Sequence, residues 1–134
     1  LVLILPATAI GFLSVAVLNL NNMRDEASDR KSGKNTLVVK MGAANAKIYH
    51  YFLIVAAMVL ILVFALLSDF HFDQYLFLIA YIPLTKHLVN VYKNQDTKAL
   101  DPELKKVALS TFALSVLLAL CMIFFFSDLI VNRY

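Results

Sequence analysis

From Ile48 to Leu67 the chain carries no Asp, Glu, Lys or Arg. A helix of about twenty residues is about 30 Å long, the thickness of a bilayer's hydrocarbon core. In lipid each backbone N–H and C=O must find its partner inside the segment, so a run of this kind is constrained to be a helix. Comparable runs lie at about 2–20, 75–91 and 102–130. With 61% hydrophobic and 16% charged residues among 134, and a mean hydropathy of +0.77, a single soluble domain is excluded. The sequence predicts an all-α fold, a polytopic transmembrane bundle of four helices at about 2–20, 48–67, 75–91 and 102–130, with a charged motif loop at 21–47.

Polar residues within and between the runs have structural readings. Pro6, Thr8, Gly11 and Ser14 in the first run predict a kink or a close helix contact, since hydroxyls and neighbouring helices re-satisfy the backbone there. Tyr49, Tyr51, Tyr75 and Tyr92 suit the interfacial aromatic belt. His50 reads as an interfacial residue, because no second ligand stands four residues away on its own helix. Asp69, His71 and Asp73 form a short solvated connection, and Pro83 predicts a kink in the third run. Asp101, Pro102 and Glu103 read as N-cap, first helical residue and acidic first turn. Cys121, the single cysteine, is a small buried hydrophobe with no disulfide partner.

Charge gives the orientation. Six basic residues lie between the first and second runs (Arg24, Arg30, Lys31, Lys34, Lys40 and Lys47) and five from Lys86 to Lys106, whereas residues 68–74 have none and the tail only Arg133. Four helices put both basic connections on one side, which the positive-inside rule makes cytoplasmic. The net charge of +3 is a matter of topology, and no base-stacking motif points to nucleic acid. The chain starts at Leu1 inside an apolar run, which suggests a fragment.

The stretch Asn21 to Gly42 holds three of the nine acidic and five of the twelve basic residues. Asn21, Asp25 and Asp29 recur every four residues, and at about 100° per residue a helix sets them on one stripe. Two carboxylates so placed repel unless a cation stands before them. Mg²⁺ suits the arrangement, because it takes oxygen ligands and is usually held by one or two carboxylates plus substrate phosphates. Arg24, Arg30, Lys31 and Lys34 are placed to meet phosphate oxygens, though Arg30 lies about 140° from Asp25 on an ideal helix. Gly33 is placed to stop this helix. Thr36 is placed to cap a short helix from Leu37 to Met41, closed by Gly42. Acid for a metal and base for a phosphate together read as a diphosphate site.

Asn21, Asn22, Arg24, Asp25, Asp29, Gly33, Thr36, Leu37 and Gly42 match the pattern NNxRDxxxDxxxGxxTLxxxxG. The stretch resembles the second aspartate-rich motif of the UbiA superfamily of intramembrane aromatic prenyltransferases, and its NNxRD opening resembles the menaquinone branch, which prenylates 1,4-dihydroxy-2-naphthoate. Lys34 fits the bacterial form, while Val38 and Lys40 stand where bacterial relatives often have Ala and Arg. The match is specific over about 22 residues, and the later helices agree in spacing and hydrophobicity.

The resemblance implies about nine helices around a cavity, with a first NDxxD-type motif facing the second, so that this chain corresponds to the C-terminal portion and partners an N-terminal portion carrying that motif. It implies transfer of a polyprenyl group from polyprenyl diphosphate to the naphthoate with loss of CO₂, giving demethylmenaquinone. It further implies Mg²⁺ held by Asp25 and Asp29, substrate contacts from Asn21, Asn22, Arg24, Arg30 and Lys34, and a place in the bilayer of a bacterial cytoplasmic membrane with the motif facing the cytoplasm. Another aromatic acceptor, a CDP-alcohol phosphotransferase, and a non-catalytic transporter or scaffold segment are the alternatives. The phosphotransferase motif requires DGxxAR and a Gly where Asn21 stands, and neither is present. A transporter would favour charges in the middle of its spans, and these are almost wholly uncharged.

Overall fold

A computed structural model describes residues 2–94 and 100–131, with side chains described up to Phe124. Lys98 and Arg133, counted in the charge tally, lie outside the described residues. The order of elements is α1 (Ile4–Lys31), α2 (Leu37–Met41), α3 (Ala43–Leu67), a 3₁₀ segment (Phe72–Ala80), α4 (Tyr81–Lys93) and α5 (Asp101–Val131). Among the described residues there is no strand.

Three of these helices are long and apolar enough to cross a membrane: α1, α3 and residues Asp101–Phe124 of α5. The third expected span is built differently, as the nine-residue 3₁₀ segment followed by the thirteen residues of α4. At about 2.0 Å per residue in 3₁₀ and about 1.5 Å in α geometry, their joint contour is about 37 Å, enough for a crossing in two pieces. The division falls at Ala80 and Tyr81, ahead of Pro83. The Tyr81 hydroxyl donates to the Met58 carbonyl at 2.6 Å, which fastens this junction to α3.

Helix packing follows a repeat of three and four. Buried Ala9, Leu13, Ala16, Leu20 and Met23 form the inner stripe of α1, and Ala46, His50, Leu53, Ala57, Ile61 and Phe64 that of α3. Glu103, Val107, Ser110, Leu114, Leu118 and Cys121 do the same on α5. Such spacing keeps one seam against its neighbour, as in left-handed bundles. Accordingly α1 packs mainly on α3, while α5 lies against α1, α4 and the 3₁₀ segment. Outer faces are apolar as well, with Phe52, Val59, Leu66, Phe112 and Ile123 exposed, which is the surface a helix turned toward lipid requires.

Two sequence expectations for the runs change. A Cβ at Gly11 would meet nothing within 4 Å, so Gly11 makes no close helix contact within the described residues. The connection left between the third and fourth runs, residues 92–101, is shorter, because α4 continues to Lys93 and α5 begins at Asp101. Asp101 is thus the first helical residue rather than the cap before it. Cys121 is fully buried, as expected.

Candidate functional site

The charged stretch begins as a continuation of α1, which runs unbroken from its apolar part through Lys31. Twenty-eight residues make a helix about 42 Å long, longer than the hydrocarbon core by about two turns. Residues 21–31, expected in the motif loop, are therefore a rigid extension of a spanning helix. Its end is a Schellman motif: Gly33 N–H donates to Arg30 O and Lys34 N–H to Asp29 O at 2.9 Å, with Gly33 at φ +74°. The closure brings Lys34 back over the last turn, where Nζ meets Asp29 Oδ1 at 3.1 Å. The Thr36 hydroxyl then accepts from Val39 N–H and starts α2, which ends at Gly42. Asn19, four residues before Met23 on the inner stripe, donates to the Ala46 carbonyl at 3.0 Å, so the extension is anchored to the first turn of α3.

On this helix Asn21, Asp25 and Asp29 share a face, as the spacing predicts. Arg24 reaches across the first two. Its Nε donates to Asp25 Oδ1 at 2.8 Å, and Nη2 to Asp25 Oδ2 and Asn21 Oδ1, both at 2.9 Å. The remaining nitrogen, Nη1, meets Asp101 Oδ1 at 2.9 Å, a residue of the first turn of α5. Asp29 is buried against its own helix end, and Asn22 is half-buried beside the stripe. Arg30 turns to Glu26 at 2.7 Å, an i,i+4 pair on the neighbouring face, as its angle from Asp25 predicts. Of the expected site residues, Asn21, Arg24 and Asp25 form one cluster and Asp29 with Lys34 a second one turn on. Arg30 is bonded outside both.

Between α1 and α5 lies a cleft of about 720 Å³. Asn21, Arg24 and Asp101 line it at the helix ends, and Val17, Leu18 and Ala108 line it one to two turns deeper. The charged mouth and apolar depth match a ligand with an anionic head and a hydrocarbon body.

For a divalent cation the donor chemistry fits. The guanidinium of Arg24 already gathers three oxygens, from Asn21 and Asp25, in the all-oxygen environment that a hard cation takes. Among the described residues no group of three or more His, Cys, Asp and Glu could hold a metal.

A second polar cluster escaped the sequence reading. His50, expected at the interface, is fully buried and its Nε2 lies 2.7 Å from His87 Nε2. His87 Nδ1 lies 2.7 Å from Glu103 Oε2, while Asn90 donates to Glu103 Oε1 at 2.8 Å and Lys106 is paired with the same oxygen. With Glu103 ionised, His87 Nδ1 is the donor, His87 Nε2 the acceptor, and His50 Nε2 the donor to it. The signal was present in the heptad stripes, where His50 and Glu103 occupy core positions. A search for a partner four residues away on the same helix could not find one that stands on α4.

The chain matches, over residues 1–102, the model of the UbiA prenyltransferase family. It is 39% identical over 118 residues to a 1,4-dihydroxy-2-naphthoate octaprenyltransferase of Haemophilus influenzae, and 42% identical over 118 residues to one of Escherichia coli. In each case the match covers 88% of this chain and 38% of the relative, so the chain spans little more than a third of the length of these proteins. No solved structure matches it significantly.

Proposed function

Since the chain belongs to the UbiA prenyltransferase family, we propose that it forms one wall of the active site of an enzyme that prenylates 1,4-dihydroxy-2-naphthoate. The observation that carries the reading is the pair Asn21 and Arg24 at the mouth of the α1/α5 cleft, bonded to Asp25 beside it and one helical turn from Asp29 and Lys34. The names of the two relatives support the acceptor and the polyprenyl donor.

Prenyltransferases of this family generally depend on a divalent metal. In this reading the metal is Mg²⁺, held by Asp25 and Asp29 with Asn21 and Asn22 completing the polar wall, and it supplies charge stabilisation for the departing diphosphate. Arg24 and Lys34 hold diphosphate oxygens at the rim, and Arg30 reaches them only by leaving Glu26. Val17, Leu18 and Ala108 keep the prenyl chain in a water-poor cleft, where an allylic cation survives long enough to react. The allylic carbon–oxygen bond breaks, the diphosphate leaves with the electron pair, and the ring carbon bearing the carboxylate attacks. Carbon dioxide departs and returns its bonding electrons to the ring, so the product is the prenylated naphthalenediol, the reduced form of demethylmenaquinone.

A first acidic motif in the remainder of the enzyme faces this wall and completes the site. The enzyme lies in a bacterial cytoplasmic membrane with the end of α1 toward the cytoplasm, a reading supported by the excess of Lys and Arg in the connections on that side. The test is transfer of radiolabelled octaprenyl from its diphosphate to 1,4-dihydroxy-2-naphthoate by the enzyme in lipid vesicles. Mg²⁺-dependent transfer with release of carboxyl-derived CO₂ is expected, and transfer only to other aromatic acceptors would refute the substrate.

A further inference from the structure

Arg24 is held from two directions. On its own helix it closes on both oxygens of Asp25 and on Asn21 Oδ1, and across the cleft it bonds Asp101, 77 residues later in the chain. Two of its four contacts are to the Asp25 oxygens that the proposed function gives to the metal, and a third is to Asn21 in the polar wall beside them. An arginine in that position blocks the ligand it should help to bind, unless it has somewhere else to go. Asp101 offers that place. Its side chain is 66% exposed, and α5 begins at this residue, so its carboxylate stands at the rim rather than in the wall.

The geometry points to Asp101 as a positioning residue: it keeps the Arg24 guanidinium at the mouth of the cleft, covering Asn21 and Asp25 while the site is empty and retained by Asp101 once a divalent cation takes those oxygens. This rests on the proposed function. It makes the first turn of α5 part of the control of the motif on α1. Without Asp101, Asp25 is the sole carboxylate bonded to Arg24, and a cation must displace an arginine that has no alternative anion. Retained at the rim, the guanidinium is within the same cleft as the diphosphate whose charge it is shaped to meet.

The test is Mn²⁺ binding in the presence of inorganic diphosphate, read by electron paramagnetic resonance on the enzyme in lipid nanodiscs, with prenyl transfer measured beside it. Asp101→Asn weakens Mn²⁺ binding by roughly two- to fivefold, the scale on which one exposed ion pair acts. Asp101→Glu restores it, and the loss under Asp101→Asn appears in KM for the prenyl diphosphate more than in kcat. In an Arg24→Gln background, Asp101→Asn has no further effect on Mn²⁺. Equal Mn²⁺ affinity in the wild type and Asp101→Asn overturns the proposal. So does a loss that adds fully to that of Arg24→Gln, because Asp101 would then act on the ion without Arg24. A wild type that binds Mn²⁺ with this coupling but prenylates no naphthoate refutes the substrate and leaves the role of Asp101 standing, whereas active enzyme without the coupling does the reverse.

Discussion

The carboxylates at the end of α1 and the carboxylate of Glu103 are both paired with cations, yet they are paired on opposite terms. Asp25, 34% exposed, and the buried Asp29 are met by Arg24 and by Lys34, whose side chains remain 29% and 68% exposed. These partners can leave, because water or a phosphate can take them. Glu103 is 5% exposed and bound at once by His87, Asn90 and Lys106, with His50 behind His87. Removing a partner there leaves a buried polar group that water cannot reach. An open cluster can exchange its ions for a ligand, and a sealed one holds α3, α4 and α5 together. Substitutions in the two should therefore separate into losses of rate and losses of protein.

The largest effect is expected in the open cluster. Asp25→Ala or Asp29→Ala should lower prenyl transfer by at least about 100-fold, the scale of removing one group that stabilises transition-state charge. Insertion and melting temperature should stay close to wild type. Prenyl transfer by either variant at the wild-type rate, measured with labelled diphosphate, breaks the comparison from this side.

Glu103→Ala comes next and should act on stability. Stranding the buried His87 beside a cavity is expected to cost about 3 kcal/mol, read as early thermal unfolding in detergent, with the folded fraction retaining its turnover number. Replacing His87 and Glu103 together by Leu should recover part of the loss, because the buried pair is removed as a unit and only the His50 ring behind it loses a partner. If the single and double variants melt together while kcat falls, the sealed cluster is part of the chemistry.

Gly33→Ala tests the join between helix end and site. Its φ of +74° disfavours any side chain although a Cβ would meet nothing, so a cost of about 1 kcal/mol is expected from conformation alone. Because the Schellman turn carries Lys34 to Asp29, a severalfold rise in KM for prenyl diphosphate should accompany it. Arg30→Ala should be the mildest. Its pair with exposed geometry on Glu26 is worth about 0.3 to 0.5 kcal/mol, and transfer should change less than twofold.

What the sequence made legible follows the same division. The aspartate stripe, the stop at Gly33, the Thr36 cap and the short helix to Gly42 are local features, set by spacing and backbone preference within a few residues. They stand in the structure as the spacing predicts. The contact of Arg24 with Asp101 and the chain from His50 to Glu103 join residues on different helices, and their formation depends on which faces meet. Composition shows the helices but not their rotation. The heptad spacing of His50 and Glu103 contained the rotation, and reading each helix alone concealed it. The two-piece build of the third run was hidden for a related reason: an apolar run reads alike whether it forms one α-helix or a 3₁₀ segment joined to a shorter one, and Pro83 marks the vicinity of the change rather than its nature.

The most direct test of the open cluster as half of a metal-diphosphate site is equilibrium binding of a non-reactive prenyl diphosphate analogue to the enzyme in nanodiscs, with and without Mg²⁺. The account predicts binding that requires Mg²⁺ in the wild type and is lost in Asp25→Asn while Glu103→Gln retains it in whatever protein remains folded. Binding that is equal without Mg²⁺, or unchanged in Asp25→Asn, would contradict it.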